Sequence, residues 1–542
     1  MTTGAELLIR GRIVVAPRPT GLETADAIAI ADGRVVAVGA WDDVRHAAGA
    51  GARVVDAGEA AVIPGLHDFH VHLVGLARSR RAVRLDDARD GREVAQRLAR
   101  AAVEAPVGAW ITGRGWNEAQ LASGTAALQA AVGERPAFLS SHDGHSAWAS
   151  AAARSMAGLG PTKPDPGGGR IERDEHGQPT GILRETALDL VAVHVSRLQG
   201  DQLRASLDET LRELAGLGIT GATEAGDYTD ENGIGADAGF GDSYSSLTDL
   251  SDLVEGRLRL TLGIPADGIV MAADRGLRTG MPLDGRGSMR FGWAKEYADG
   301  ALGSGTAALL APRTCGERDA GILRVTADEL DALFAASRPA GIGMAIHAIG
   351  DRAAREVLDA IERATPRLAG VPNDRMEHAQ LLQSADARRF AELGVIASIQ
   401  PIHAAADRDL VESCWDGRQD GAYAWRRLVS AGALLAAGSD APVESVNPWL
   451  GLFSAVHRRL PTDGRDDWRP AQALLLSEAL AAYTLAPAQA IGAADEGHLR
   501  VGARADLAVL SATLQGLLRA DEALGSTRSD LTMIDGREVH RS

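Results

Sequence analysis

The chain has 542 residues, 45% of them hydrophobic and 24% charged, the balance of a soluble globular protein with room for a large core and more than one domain. A net charge of −17 argues against nucleic acid and anionic membrane as partners. No apolar run reaches membrane-spanning length, and the first residues lack the basic-then-apolar pattern of a secretory signal. Two cysteines, Cys315 and Cys414, are too few for a disulfide framework, so the cytoplasm is the expected compartment and a small molecule the expected partner, with a homodimer left open.

The first 60 or so residues read as β: Leu7 to Val15 is apolar-rich, and Ala27 to Ile30, the Asp32-Gly33 turn and Val35 to Val38 form a hairpin. The C-terminal end has the same texture, with a strand at Asp506 to Leu510 and a second hairpin around Asp535-Gly536. Neither piece is large enough to stand alone. The expected organisation is a small composite β-sandwich domain from residues 1–63 and 495–542, around a middle domain of residues 64–494. That middle alternates strand and helix signals. Strands are predicted at Ile219 to Glu224, Leu258 to Ile264, Arg290 to Tyr297, Gly343 to His347, Asp374 to His378, Val395 to Gln400 and Ala433 to Ser439. Helices are predicted at Thr326 to Arg338, Ala353 to Ala364 and Ala385 to Leu393. This is the α/β pattern of a parallel sheet or barrel. The gap between His72 and Ile219 exceeds one βα unit, which predicts an inserted subdomain at about 76–210.

Chemistry-bearing residues fall at one end of strand after strand. His70 and His72 stand two apart after Pro64-Gly65, so on a strand both rings reach one point, as a metal pair does. Lys295 is one of only two lysines in a chain that otherwise uses Arg, and Arg cannot give up its proton as a buried Lys can. His347, His378, His403 and Asp440 each close a later segment. In a (β/α)8 barrel such strand ends converge on one pocket.

These residues resemble those of the amidohydrolase superfamily. With them stand Gly113-Arg114-Gly115-Trp116, the run Asp143 to Trp148, the run Pro179 to Glu185, the run Asp299 to Ser304, Ile346 to Arg352, Gln400 to His403, Gly438 to Val443 and Tyr483-Thr484. Together they are similar to amidohydrolase family 3, which includes N-substituted formamide deformylases. The resemblance implies a TIM-type barrel and a divalent metal, Zn foremost, as one or two ions held by His70, His72, His347, His378 and Asp440. It implies a CO2-derived carbamate on Lys295 as a bridging ligand, Asp440 as general base, and His145 and His403 at the pocket. Where Gly305 stands, the family often has a larger residue. His67 and His142 have no family role and read as structural. Trp116, Trp148, Trp293 and Trp449 lie near motif segments and could wall an apolar pocket or pack the core.

The expected reaction is hydrolysis of an amide or N-substituted formamide by metal-activated water. One alternative is an aminohydrolase, a deaminase acting on a heterocycle. Another is a non-catalytic relative of the fold.

Overall fold

Eight parallel strands form the central sheet, in the computed structural model, which describes residues 5–49, 51–106, 108–121, 125–195, 198–226, 240–316 and 318–542. They are Leu66–Val71, Ile219–Glu224, Arg259–Pro265, Met289–Tyr297, Met344–Ala348, Arg375–His378, Ile396–Ile399 and Leu435–Ala437, hydrogen-bonded in chain order. Nearly every residue in them is buried, as expected of strands covered on both faces. The eighth strand meets the first through the chain that follows it. Ser439 N donates to Asp68 Oδ1 at 2.9 Å and Asp440 N to the His70 carbonyl at 2.7 Å. Gly438 permits this closure, since a Cβ there would lie 2.3 Å from the His70 nitrogen.

Helices cover the outside. Ala327–Ala340 starts at Thr326, whose hydroxyl accepts from Glu329 N while Glu329 accepts from Thr326 N, a reciprocal cap. Asp351–Arg363 and Ser384–Leu393 follow the next two strands. Helix Gly200–Gly216 buries Leu203, Leu207, Leu211 and Leu214 in the barrel's outer core. Inside the barrel, Phe69, Trp293, Ala345, Ile396 and Ala436 make a small apolar floor. Arg375 lies on it, its guanidinium 4.1 Å from the Phe69 ring centroid.

Both chain ends meet in one seven-stranded sheet. Leu507–Thr513 pairs antiparallel with Arg53–Pro64, linking the C-terminal strands Ser529–Ile534 and Arg537–Arg541 to the N-terminal strands Leu7–Arg18, Gly21–Ala31 and Arg34–Gly39. The sheet curls on itself as a sandwich does. One core joins Ile9, Ile28 and Val62 to Leu507, Val509 and Met533, and the Gly33 and Asp535 turns touch. Arg259, in the third barrel strand, anchors this unit: its guanidinium donates to both Asp506 oxygens and, at 2.7 Å, to Asp535.

A third sheet, of six strands from Val83–Arg84 to Pro179–Glu185, is inserted after the first barrel strand. Trp116 and Trp148 are buried in its own core. Trp293 belongs to the barrel floor, and Trp449 is buried with Nε1 donating to the Leu217 carbonyl at 3.0 Å. The four tryptophans therefore pack cores and wall no pocket, because each fills the centre of a layer where the largest apolar area is removed from water. Cys315 and Cys414, too few for a disulfide framework, lie together. They form one disulfide, with Cα atoms 4.6 Å apart, between the loop after the fourth strand and the helix Arg408–Cys414.

Candidate metal centre

His70 is fully buried near the end of the first barrel strand, and His72 lies just beyond it, where helix Leu73–Ser79 begins. Both Nε2 atoms lie 3.2 Å from the same oxygen of Asp440, Oδ1. Asp440 reaches them from the loop after the eighth strand with φ of 59°, a left-handed conformation fixed by its N–H bond to the His70 carbonyl. His378, also left-handed at φ 70°, ends the sixth strand. One ligand atom from each of His70, His378 and Asp440 lies within 4.8 Å of the other two, and all three residues are buried.

Glu377 sets the chemistry of this cluster, and the sequence reading did not single it out. It is fully buried, accepts from His70 Nδ1 at 2.5 Å and is paired with Arg375. With Nδ1 donating to Glu377, Nε2 of His70 is left as a lone-pair acceptor. It faces a carboxylate oxygen, another acceptor, with no hydrogen-bond partner. His378 Nδ1 is likewise buried without a hydrogen-bond partner. Two imidazole lone pairs and a carboxylate converging without donors are the donor set of a divalent cation such as Zn, and the carboxylate behind His70 is the usual support for a metal-binding imidazole. The residues fit the metal that the sequence implies. Burial holds His378 well below the usual histidine range, so it stays neutral, the form that binds metal.

The remaining predicted residues surround this cluster at different distances. Lys295 is buried on the fourth strand, its Nζ 4.5 Å from the Tyr297 ring centroid. Burial pulls its pKa down to about 8, against the opposing fields of Glu377 and Asp440. His347 stacks near His378, ring centroids 4.5 Å apart, but its Nε2 lies 3.1 Å from the Gly300 carbonyl, so that nitrogen is turned away from the three-residue cluster. His403, in helix Pro401–Ala406, takes a hydrogen bond on Nδ1 from Gln380 at 3.1 Å, which leaves the proton on Nε2, 3.5 Å from Asp440 Oδ2.

The inserted sheet supplies part of the same wall. His145 Nδ1 lies 2.9 Å from Glu185 Oε2, and its ring is 5.1 Å from that of His347. Burial opposes the charge on His145, but Glu185 outweighs it and the pKa is raised. Arg324 and Thr306 also bond Glu185. Asp299, of the Asp299-Gly300 motif, is a staple: it accepts from the backbone N–H groups of Ala308, Ile349 and Gly350 at 2.8–2.9 Å. At Gly305 a Cβ would fall 1.6 Å from Arg313 Nη1, so that guanidinium fills the space a larger residue would take.

His67 and His142 separate. His67 points to the far end of the barrel, bonded to Thr223 at 2.9 Å, and burial keeps it neutral with a pKa near 3. His142 stands at the pocket side of the inserted sheet with Nε2 3.0 Å from Glu444, four residues beyond Asp440. A charged residue spaced so from Asp440 is the sequence signal that would have found this contact.

Comparison with known proteins gives the family and the fold. The family model described as "Amidohydrolase family" matches residues 53–540. Protein LONG AFTER FAR-RED 3 of Arabidopsis thaliana is 31% identical over 506 residues, 91% of this chain and 85% of that protein. The N-substituted formamide deformylase of Arthrobacter pascens is 27% identical over 524 residues, 90% of each chain. A crystal structure of an uncharacterized metal-dependent hydrolase from Pyrococcus horikoshii OT3 superposes with a TM-score of 0.73 at 25% identity, over 95% of this chain and 99% of that one.

Proposed function

Because the chain belongs to the amidohydrolase family and is a metal-dependent hydrolase, we propose that it cleaves the C–N bond of a small amide or N-substituted formamide. The observation that carries the reading is the trio His70, His378 and Asp440, whose buried lone pairs converge without donors while Glu377 fixes the His70 tautomer. His72 adds a fourth group at Asp440. A divalent cation held there, most simply Zn, supplies a Lewis acid for the scissile carbonyl and water acidified to near neutrality.

The chain's own groups do the rest. Despite burial, the Asp440 carboxylate would be kept ionised at neutral pH by a cation held beside it. It accepts the proton of the attacking water and delivers it to the leaving nitrogen. His403, its Nε2–H held toward Asp440 by Gln380, donates to the oxyanion as it forms, and His145, bonded to Glu185, lines the same wall from the inserted sheet. Lys295 takes the role of carbamate-bearing residue. Its buried amine, with a pKa near 8, is in part neutral at physiological pH. The neutral amine adds to CO2, losing one proton to form an anionic N–C bond product suited to a second cation site toward His347.

A compact three-residue cluster also favours a second reading, a single-ion centre of the kind aminohydrolases use. The test is elemental analysis of the purified protein, followed by a panel of amides, formamides and aminated heterocycles scored for amine against ammonia. Intact mass under native conditions reports one added CO2 on the chain. Metal below about a tenth of an equivalent, with activity indifferent to chelators, would sink the metal reading. Ammonia from heterocycles without amide cleavage would select the second.

A further inference from the structure

Gln400 follows the seventh barrel strand, Ile396–Ile399, and precedes helix Pro401–Ala406; its backbone is still extended, with φ −122° and ψ 94°. Side chains alternate along a strand. Ile396 lies on the apolar floor inside the barrel, and Ser398 Oγ lies 3.4 Å from Arg375 Nη2 on that floor. Ala397 and Ile399 belong to the outer core. Gln400 therefore continues the inward row, one level above Ser398.

At that level it stands among the residues of the metal centre. The seventh strand lies between the sixth, which ends at His378, and the eighth, which leads into Asp440. Ligand atoms of those two residues lie within 4.8 Å of each other. The register that pairs Ile399 with Ala437 sets Gly438 beside Gln400, and a Cβ on Gly438 would fall 2.3 Å from the His70 nitrogen. The Gln400 carbonyl accepts from His403 N at 3.1 Å, which ties it to the ring whose Nε2 is 3.5 Å from Asp440 Oδ2.

The side chain is 3% exposed and only half satisfied. Its Nε2 donates to the Ser398 carbonyl at 3.4 Å, which leaves Oε1 as the outer end of the amide. That oxygen is buried with no hydrogen-bond partner. A buried carbonyl without a donor is costly, and the Asp440 carboxylate beside it offers only lone pairs.

We propose that Gln400 Oε1 accepts the N–H of the scissile amide, so that the molecule cleaved is a primary or secondary amide and not an N,N-disubstituted one. This rests on the amide-hydrolase reading above. The leaving nitrogen must come to Asp440, which delivers its proton, and Gln400 projects from the adjacent strand end. Gln400 takes up no proton itself. As the C–N bond breaks and the nitrogen is protonated, its N–H groups become stronger donors, so the contact tightens in the transition state. Gln400 is thus a specificity-determining residue.

The experiment uses the isolated full-length protein and the variants Q400M and Q400E. Substrates are N-butylformamide and acetanilide, each matched with its N-methyl derivative. The ratio of kcat/KM for the N–H amide over the N-methyl amide should exceed unity in the wild type. It should fall about 10- to 100-fold in Q400M, which keeps the length of the side chain and loses the acceptor. Q400E keeps an acceptor and should retain the preference, whereas a merely structural role would slow both amides together and leave the ratio unmoved. Equilibrium dialysis of N-butylmethanesulfonamide against its N-methyl derivative, neither of which is cleaved, reads the contact without turnover. Preferential binding of the N–H form that is lost in Q400M supports the role. If the amides are not hydrolysed but this binding difference is present, the reaction assignment fails while Gln400 stands. Equal binding of the two sulfonamides by the wild type, or a ratio unchanged in Q400M, overturns the proposal.

Discussion

Replacing Glu377 by Gln should weaken metal binding and the fold together, through different contacts. Glu377 is fully buried and its carboxylate serves two donors, His70 Nδ1 at 2.5 Å and the Arg375 guanidinium. Gln keeps the shape but offers one acceptor oxygen, so its NH2 must face one of those donors. Leaving a buried donor unmet costs about 1–3 kcal/mol. Arg375, buried on the barrel floor against Phe69, would also lose its compensating charge, and breaking a buried pair from one side costs about 3–5 kcal/mol. Its remaining bonds, to the Phe69 carbonyl at 2.8 Å and to Ser398 Oγ at 3.4 Å, do not replace that charge. The stability loss should therefore be about 3–5 kcal/mol, and metal affinity should fall about 10- to 100-fold, as for other carboxylates that orient a ligating histidine. Denaturant melts and metal competition titrations measure the two separately. Adding R375M removes the stranded cation, so the double variant should regain stability without regaining affinity. Wild-type metal affinity in E377Q would falsify the claim that Glu377 orients His70.

Asp440→Asn should lose about 10²–10⁴-fold in turnover, because Asn cannot accept the proton; near-normal turnover would remove Asp440 from that role. Deleting residues after Ala505 should give insoluble protein: strand Arg53–Pro64 would lose its antiparallel partner and Arg259 its two aspartates. A soluble, active truncation would mean the two ends fold independently. The His142–Glu444 pair should show a pH signature. Its hydrogen bond raises the His142 pKa to about 9, above the unfolded value of about 6.5, so its contribution is complete below about 6.5 and disappears as pH rises through about 9. With the His142 side chain 41% exposed, solvent screening limits that contribution to about 0.5–1 kcal/mol. A double-mutant cycle of H142Q and E444Q, run by thermal melts on either side of this window, should find coupling only on the acid side; coupling that persists in alkali would assign it to packing.

Periodicity is a local property, and what depended on it was legible in the chain. The strands at Ile219–Glu224 and Met289–Tyr297, the helix that follows Thr326 and the His-X-His spacing of His70 and His72 each follow from neighbouring residues. So did the pairing of the two ends, since neither half could bury its apolar face alone. The contacts that give the centre its chemistry join residues far apart and leave no local trace. Glu377 reaches His70 across 307 residues, because barrel closure brings the sixth strand's inward face to the first. The left-handed turns at His378 and Asp440, the bond that turns His347 to Gly300, and the Cys315–Cys414 link likewise exist only once loops from different strands meet. The four tryptophans lie beside motifs in the chain but inside layers in space, because burial of area, not sequence neighbourhood, decides where an indole goes. The residue types and their order were fixed locally; which nitrogen of His70 faces Asp440, and which carboxylate holds it there, was decided by closure of the barrel.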